Sequence, residues 1–473
     1  MIRNARIVSA FGAAVGEVDV EIADGLIQAV GPGLEGRGET LDAEGRWLMP
    51  GLWDHHTHLT QWTLNRRRTD LSGTRSPSEV LEVVTAALVA NPGSPVVAHS
   101  MKAGEWDRMP RVSDLDAVSG SVPVVCLNVD LHQAWLNTAA QRFFGLEPVD
   151  VFVTENTLYA IEARLVDLES RPSDADFAAM LADAVALGVT GLVDFEHSTD
   201  PADWPGRAGC DLVRIRWNTY ENGLDGVIAA GLRTGDRLGG LVTVGGLKII
   251  SDGSLGTRTA WCCEPYADTG GYGAANQSTA DLVDLLAAAT AHGLEVATHA
   301  IGDRANAEAL AAYAATGAKG SIEHAQLVRP QDISTMASLG LRASVQPSHL
   351  LDDRDQATRV WPGRDEDCYA FRAMLEAGVR VVFGSDAPVA PLDPWLSISA
   401  AVHRSNDERD PWGPGQAVSV AEALRASVMT TVAAGQPADL ILLEADPMTA
   451  APAQLRTMPV SHTIVAGRTV HGG

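Results

Sequence analysis

Two histidines two residues apart, His56 and His58, follow the apolar stretch Pro50-Gly51-Leu52-Trp53. On an extended strand, side chains at i and i+2 share a face, so these imidazoles can hold one divalent metal ion together while His55 points away. Other apolar segments end in groups of the same kind. Leu294–Thr298 leads into His299, Ser321-Ile322-Glu323 into His324, and Val381–Ser385 into Asp386, with Pro388 stopping the strand. A single histidine at a strand end is more often a satisfied hydrogen-bonding residue; in this order the set reads as a metal site with a carboxylate, Asp386, to move protons. Lys248 sits in the apolar run Gly245–Ile250, where a charged ammonium is costly. A neutral amine there can add carbon dioxide to form a carbamate, an oxygen ligand able to bridge two ions; the competing reading pairs Lys248 with a buried carboxylate such as Asp252. Water between two such ions would have its pKa lowered far below its bulk value, toward roughly 7. Such a centre would activate water toward a carbonyl, with Asp386 expected to take the proton and return it to a leaving nitrogen.

Three further residues are candidates for orienting a substrate: His132 and Asn137 in the stretch after the first histidine pair, and His349 after the strand-like run Ala343–Gln346. Trp62, Trp106, Trp135, Trp261 and Trp395 lie near these segments and suit an apolar or aromatic substituent on nitrogen, although tryptophans also simply fill cores.

The elements that must position these groups alternate short apolar runs with Ala- and Leu-rich helical stretches, the pattern of βα units around a parallel sheet. In a parallel barrel all the strand ends converge on one rim. Ser419, three residues before Glu422, gives one helix a capping box. Residues 1 to about 50 and the last forty alternate as strands and turns, which suggests one composite sheet domain built from both ends. Between 65 and 170 the runs Val96–His99 and Val122–Cys126 exceed a regular barrel and read as an insertion.

Acidic residues number 60 against 35 basic ones, a net charge of −25 that repels nucleic acid and anionic membranes and leaves a small-molecule substrate. The one basic run, Arg66–Arg68, reads as a solvated loop. Five cysteines without Cys-x-x-Cys spacing form neither a disulfide framework nor a cysteine zinc site, and a reducing cytoplasm suits them. The amino terminus alternates like a strand rather than a signal peptide, and no run of ~20 apolar residues spans a bilayer.

These motifs resemble the amidohydrolase superfamily, family 3 type, and within it the branch containing N-substituted formamide deformylases. The resemblance covers nearly the whole chain. It rests on Pro50–His58, Asp130–Asn137, Lys248–Ala260, Pro265-Tyr266, His299, His324, Gln346-Pro347 and Gly384–Val389. It implies an α/β fold: a (β/α)8 TIM-like barrel with a composite β-sandwich from both termini and an α/β insertion after the first barrel strand. The expected bounds are 1–52 plus 434–473 for the sandwich, 53–64 plus 170–433 for the barrel and 65–169 for the insertion. It also implies one or two zinc-type divalent ions held by His56, His58, His299, His324, Asp386 and an N6-carboxylated Lys248, in a metal-dependent hydrolase of non-peptide C–N bonds, an enzyme compatible with homo-oligomers. There are departures. Leu131 stands where the family reads Asp-Gly-His, no role carries over onto Glu155, and the link at 432–437 is shortened. Deaminases of the superfamily tend to place a glutamate three residues after the fifth-strand histidine, where this chain has Gly302. The alternatives are hydrolysis of a lactone, cyclic amide or carbamate, or deamination, at the same centre, and more remotely a non-catalytic scaffold.

Overall fold

The computed structural model describes residues 1–12, 16–36, 38–162, 164–197, 200–207 and 209–472. Eight parallel strands follow one another around a barrel: β1 (Leu52–Thr57), β2 (Val189–Asp194), β3 (Arg214–Thr219), β4 (Val242–Ile250), β5 (Glu295–Ala300), β6 (Gly320–His324), β7 (Arg342–Val345) and β8 (Arg380–Phe383). Each is laddered to the next. Enclosed by helices outside and side chains inside, these strands have no solvent face. This is why β2 and β6 are buried along their whole length and read as runs rather than alternations.

No ladder joins β8 to β1 among the described residues, and the barrel is instead closed past the end of β8. The Asp386 amide donates to the His56 carbonyl (2.7 Å) and the His58 amide to the Ala387 carbonyl (2.8 Å). Gly384 permits this approach, because a Cβ there would lie 2.6 Å from the His56 nitrogen. A second irregularity lies within β1. Leu192 pairs with Asp54 but Asp194 pairs with Thr57, so three steps of β1 face two of β2, a bulge at His55-His56. The bulge turns His56 toward the C-terminal rim, while His55, still inside the barrel, faces its floor.

Both chain ends contribute to one eight-stranded mixed sheet, in which Leu440–Leu443 pairs with Trp47–Pro50, and Trp47–Pro50 with Ile2–Ile7. Ile2, Val20, Leu48, Leu440, Leu442 and Ile464 share its core. The short link at 432–437 is tied to the start of the strand Leu26–Gly31, with Gly435 N donating to Ile27 O (2.8 Å) and Ile27 N to Gln436 O (2.9 Å). Between β1 and β2 stands a five-stranded sheet, which includes Val96–Met101 and Val124–Asn128 and also Gln133–Leu136. The helix starting after Ser419 carries the expected capping box. The basic run departs from its reading. Arg66 and Arg67 are exposed on Asp183 and Asp176, but Arg68 is buried against Glu169, Gln61 and Asn65. No described helix is long and apolar enough to cross a membrane.

Candidate metal centre

At the rim, the strand ends bring six of the expected residues together. Asp386 Oδ1 lies 3.3 Å from His58 Nε2 and 3.5 Å from His56 Nε2, and Oδ2 lies 4.0 Å from His324 Nδ1. Lys248 Nζ is 3.3 Å from His56 Nε2 and rests over the Phe195 ring. The rings of His299 and His324 meet edge to face at 4.5 Å. Two sets of potential ligand atoms, each within 4.8 Å of one another, share Asp386: His56 with His58, and His324 with His349. His299 lies outside both sets, its Nε2 3.2 Å from the Gly253 carbonyl and 3.4 Å from Asp252.

The electrostatics suit cation binding. Burial lowers His56 to about 4, with the Lys248 charge adding to the effect, and takes His324 well below its ordinary value. Burial thus opposes the protonated form of both imidazoles, the form that cannot ligate a metal. Burial alone would raise Asp386, but the imidazoles of His56, His58 and His324 hold its carboxyl well below the usual range. Burial lowers Lys248 to about 8, against the pull of Glu323 and Asp386. Asp252 is not its partner. That carboxylate accepts from the amides of Trp261 (2.8 Å), Gly302 (2.9 Å) and Ile301 (3.0 Å). Imidazole nitrogens and carboxylate oxygen in one buried cluster are the donor set of a divalent ion, so the residues present fit one.

Several supporting residues carried no role in the sequence reading. Glu323 accepts from His56 Nδ1 (2.7 Å) and from the Ser321 hydroxyl (2.5 Å), which orients the imidazole and fixes its tautomer. Burial works against Glu323, yet the hydrogen bond from His56, with the Lys248 charge and the Ser321 hydroxyl behind it, brings it to about 2. Asp54 accepts from the amides of Ser385 (2.8 Å) and His56 (3.1 Å), bracing the β1–β8 seam. His324 (φ 69°) and Asp386 (φ 59°) both sit in the left-handed region, a local cost that the surrounding bonds must hold. The available signal was position: Asp54 and Glu323 each stand within two residues of a candidate ligand.

Above the cluster opens a cavity of about 130 Å³, walled by the barrel loops and by the insertion. His132 lines it. Its Nδ1 meets Tyr159 Oη (2.7 Å) and Glu155 Oε2 (3.0 Å), and Glu155 Oε1 accepts from Thr259 (2.6 Å). Burial would lower His132, but Glu155 outweighs it and holds the imidazole at about 9, while His132 in turn brings Glu155 down to about 2 against burial. His349 also lines the cavity and gives its Nε2 to the Ser385 carbonyl (3.1 Å). Asn137 does not face the cavity. It is fully buried, with its carboxamide bonded to Val124 N, Ala140 N, Ser119 Oγ and Val122 O, so it caps the helix Thr138–Phe144 and no group is left for a substrate. The tryptophans are corrected likewise. None lines the cavity, Trp135 and Trp395 being core residues, and the large apolar surface there comes from Tyr159, Tyr220, Leu131 and Leu255.

Residues 39–471 match the model of the amidohydrolase family. The chain is similar to Protein LONG AFTER FAR-RED 3 of Arabidopsis thaliana, 30% identical over 83% of this chain and 75% of that one. It is also similar to the N-substituted formamide deformylase of Arthrobacter pascens, 26% identical over 95% and 94% of the two chains. Among solved structures, an uncharacterized metal-dependent hydrolase from Pyrococcus horikoshii superposes with a TM-score of 0.76 at 25% identity, covering 96% of this chain and 98% of its own.

Proposed function

Because the chain belongs to the amidohydrolase family, as a metal-dependent hydrolase of that superfamily, we propose that it cleaves the amide C–N bond of a small N-substituted substrate, a formamide or close N-acyl relative. One observation carries this reading: Asp386, a buried carboxylate within 4.0 Å of three imidazoles, opens on the same cavity as His132. His56, His58, His299, His324, Asp386 and Lys248 would hold one or two divalent ions, zinc by ligand type, which when bound supply Lewis-acid activation of water and carbonyl. Lys248 suits the N6-carboxylated form. Burial brings its amine to about 8, so near neutral pH the uncharged, nucleophilic amine is roughly a hundredfold more abundant than on an exposed lysine. That nitrogen attacks carbon dioxide and sheds a proton, leaving an anionic carbamate.

Asp386 accepts the proton of the attacking water and returns it to the leaving nitrogen, which departs readily only once protonated. His132, kept charged by Glu155, presents its remaining N–H to the substrate oxygen. Tyr159, Tyr220, Leu131 and Leu255 offer apolar surface to the N-substituent. The net charge of −25 supports a small-molecule substrate rather than nucleic acid or an anionic membrane, and the free cysteines suit a cytoplasmic setting. Deamination is disfavoured at Gly302, where a Cβ would lie 2.1 Å from the Trp261 carbonyl oxygen, leaving no room for a glutamate.

The test is a screen of N-formyl and N-acyl amines on wild type and Asp386→Asn, with metal analysis of both. The expected results are about one to two equivalents of divalent ion per chain and amide turnover that collapses in the variant. Activity in metal-free protein, or turnover of a lactone with none of any amide, would overturn the reading.

A further inference from the structure

The floor of the barrel carries a second cluster of ionised side chains that the reaction does not use. Arg216, Glu295 and Arg342, from the N-terminal ends of β3, β5 and β7, surround a cavity of about 30 Å³ with His55, Ser344 and Glu323. One oxygen of Glu295 serves both arginines, at 2.6 Å from Arg342 Nη2 and 3.6 Å from Arg216 Nη2. Arg380, at the start of β8, adds its charge at His55 and Arg216. It has no carboxylate within 4.0 Å among the described residues, and its Nη2 is 3.7 Å from the Met429 sulfur. Glu323, at the roof, has its oxygens engaged by His56 and Ser321. Three cations therefore share one available carboxylate. In addition, two buried polar atoms of the lining have no hydrogen-bond partner: His55 Nε2 and Ser344 Oγ, in residues only 6% and 2% exposed. Unpartnered groups of this kind inside a positively charged cavity call for an acceptor-rich occupant.

The geometry points to a binding site for a small oxyanion, a carboxylate or an inorganic oxyanion, at the floor of the barrel, held by Arg216, Arg342, Ser344 and His55 with Arg380 at its edge. The arginines are partly exposed, at 22% for Arg216 and 24% for Arg342, so an anion reaches them from the floor without passing the rim. The space excludes anything of nucleotide size. Oxyanion oxygens would accept from the two guanidinium forks, from the Ser344 hydroxyl and from the His55 Nε2–H.

Melting temperature tests this without reference to catalysis. Protein exchanged into chloride is titrated with sulfate, bicarbonate or formate at constant pH and ionic strength. The expected result is a saturable rise of roughly 1–2 °C at ten times Kd. The sulfate and formate arms decide between an inorganic anion and a carboxylate. Ser344→Ala and Arg380→Gln, which disturb no carboxylate pair, should each raise the half-saturating concentration roughly threefold to tenfold. No shift beyond that of chloride, as for a cavity filled by water, overturns the proposal. A linear shift without saturation overturns it too, as does a half-saturation that neither variant changes, since an anion bound at the rim would be indifferent to both.

Discussion

Rim and floor of this barrel are built from the same strands and often from adjacent residues. His56 faces the rim and His55 the floor; His324 faces the rim and Glu323 the floor. Both ends are rich in ionisable groups, yet they are organised in opposite ways. On the floor, two arginines share one glutamate at 2.6 and 3.6 Å, which leaves positive charge in excess. At the rim, the imidazoles of His56, His58 and His324 converge on one carboxylate. Backbone strain divides the same way. Leu131, His324 and Asp386 of the rim cavity have positive φ, and no residue lining the floor does. The fold thus keeps its backbone strain at the rim, where the chemistry lies, and leaves the floor a regular backbone with an excess of positive charge.

The largest effect that would break this comparison is at Asp386. Asp386→Asn removes the proton carrier while keeping the shape, and kcat/KM should fall by about 10²–10⁴. Metal content measured alongside separates lost proton transfer from lost ion. A variant retaining more than a tenth of the activity would mean that the rim is no more chemically committed than the floor. Next in size is Glu323→Gln, at the junction of the two ends. Losing the charge behind His56 should weaken divalent-metal affinity about 10–100-fold, as read by competition with a chelator. Unchanged affinity would assign Glu323 to the floor alone.

Much of the rim was legible because parallel strands deliver their C-terminal ends to one place, so His56, His58, His299, His324 and Asp386 could be grouped from order alone. What was hidden depends on register and conformation. Strand parity sends His55 away from His56, but only the β1–β2 bulge shows that it stays inside the barrel. Likewise φ 69° at His324 lets consecutive residues serve opposite ends. Asn137 was misread although its signal was present: an Asn directly before a helical stretch is a strong N-cap, and a cap spends its carboxamide on the backbone. Arg68 and the tryptophans went astray for a different reason, since burial depends on which distant segment covers a side chain.

The His132–Glu155 pair sharpens the comparison in pH. Glu155 falls from 4.5 to about 2 on folding, so its contribution is complete above pH 4.5 and is lost toward 2. His132 rises from 6.5 to about 9, so its contribution is complete below 6.5 and is lost as pH climbs through 9. Melting temperatures of wild type and Glu155→Gln should therefore differ most between pH 4.5 and 6.5 and converge toward 9.5. A gap independent of pH would mean that the pair is uncharged packing.

The smallest effect lies in the rim's strain. Leu131, at φ 58°, stands in a conformation that costs a non-glycine residue roughly 1–2 kcal/mol. Leu131→Ala keeps that cost and loses packing, whereas Leu131→Gly loses the same packing and sheds the strain. The glycine variant should thus be the more stable of the two by about 1 kcal/mol in denaturant unfolding, the reverse of the usual order in ordered backbone. Ala297, lining the floor within β5 and free of positive φ, supplies the counterpart: Ala297→Gly should destabilise by about 1 kcal/mol. Were Leu131→Ala the more stable variant, the left-handed turn would be relaxed in solution, and strain would no longer distinguish rim from floor.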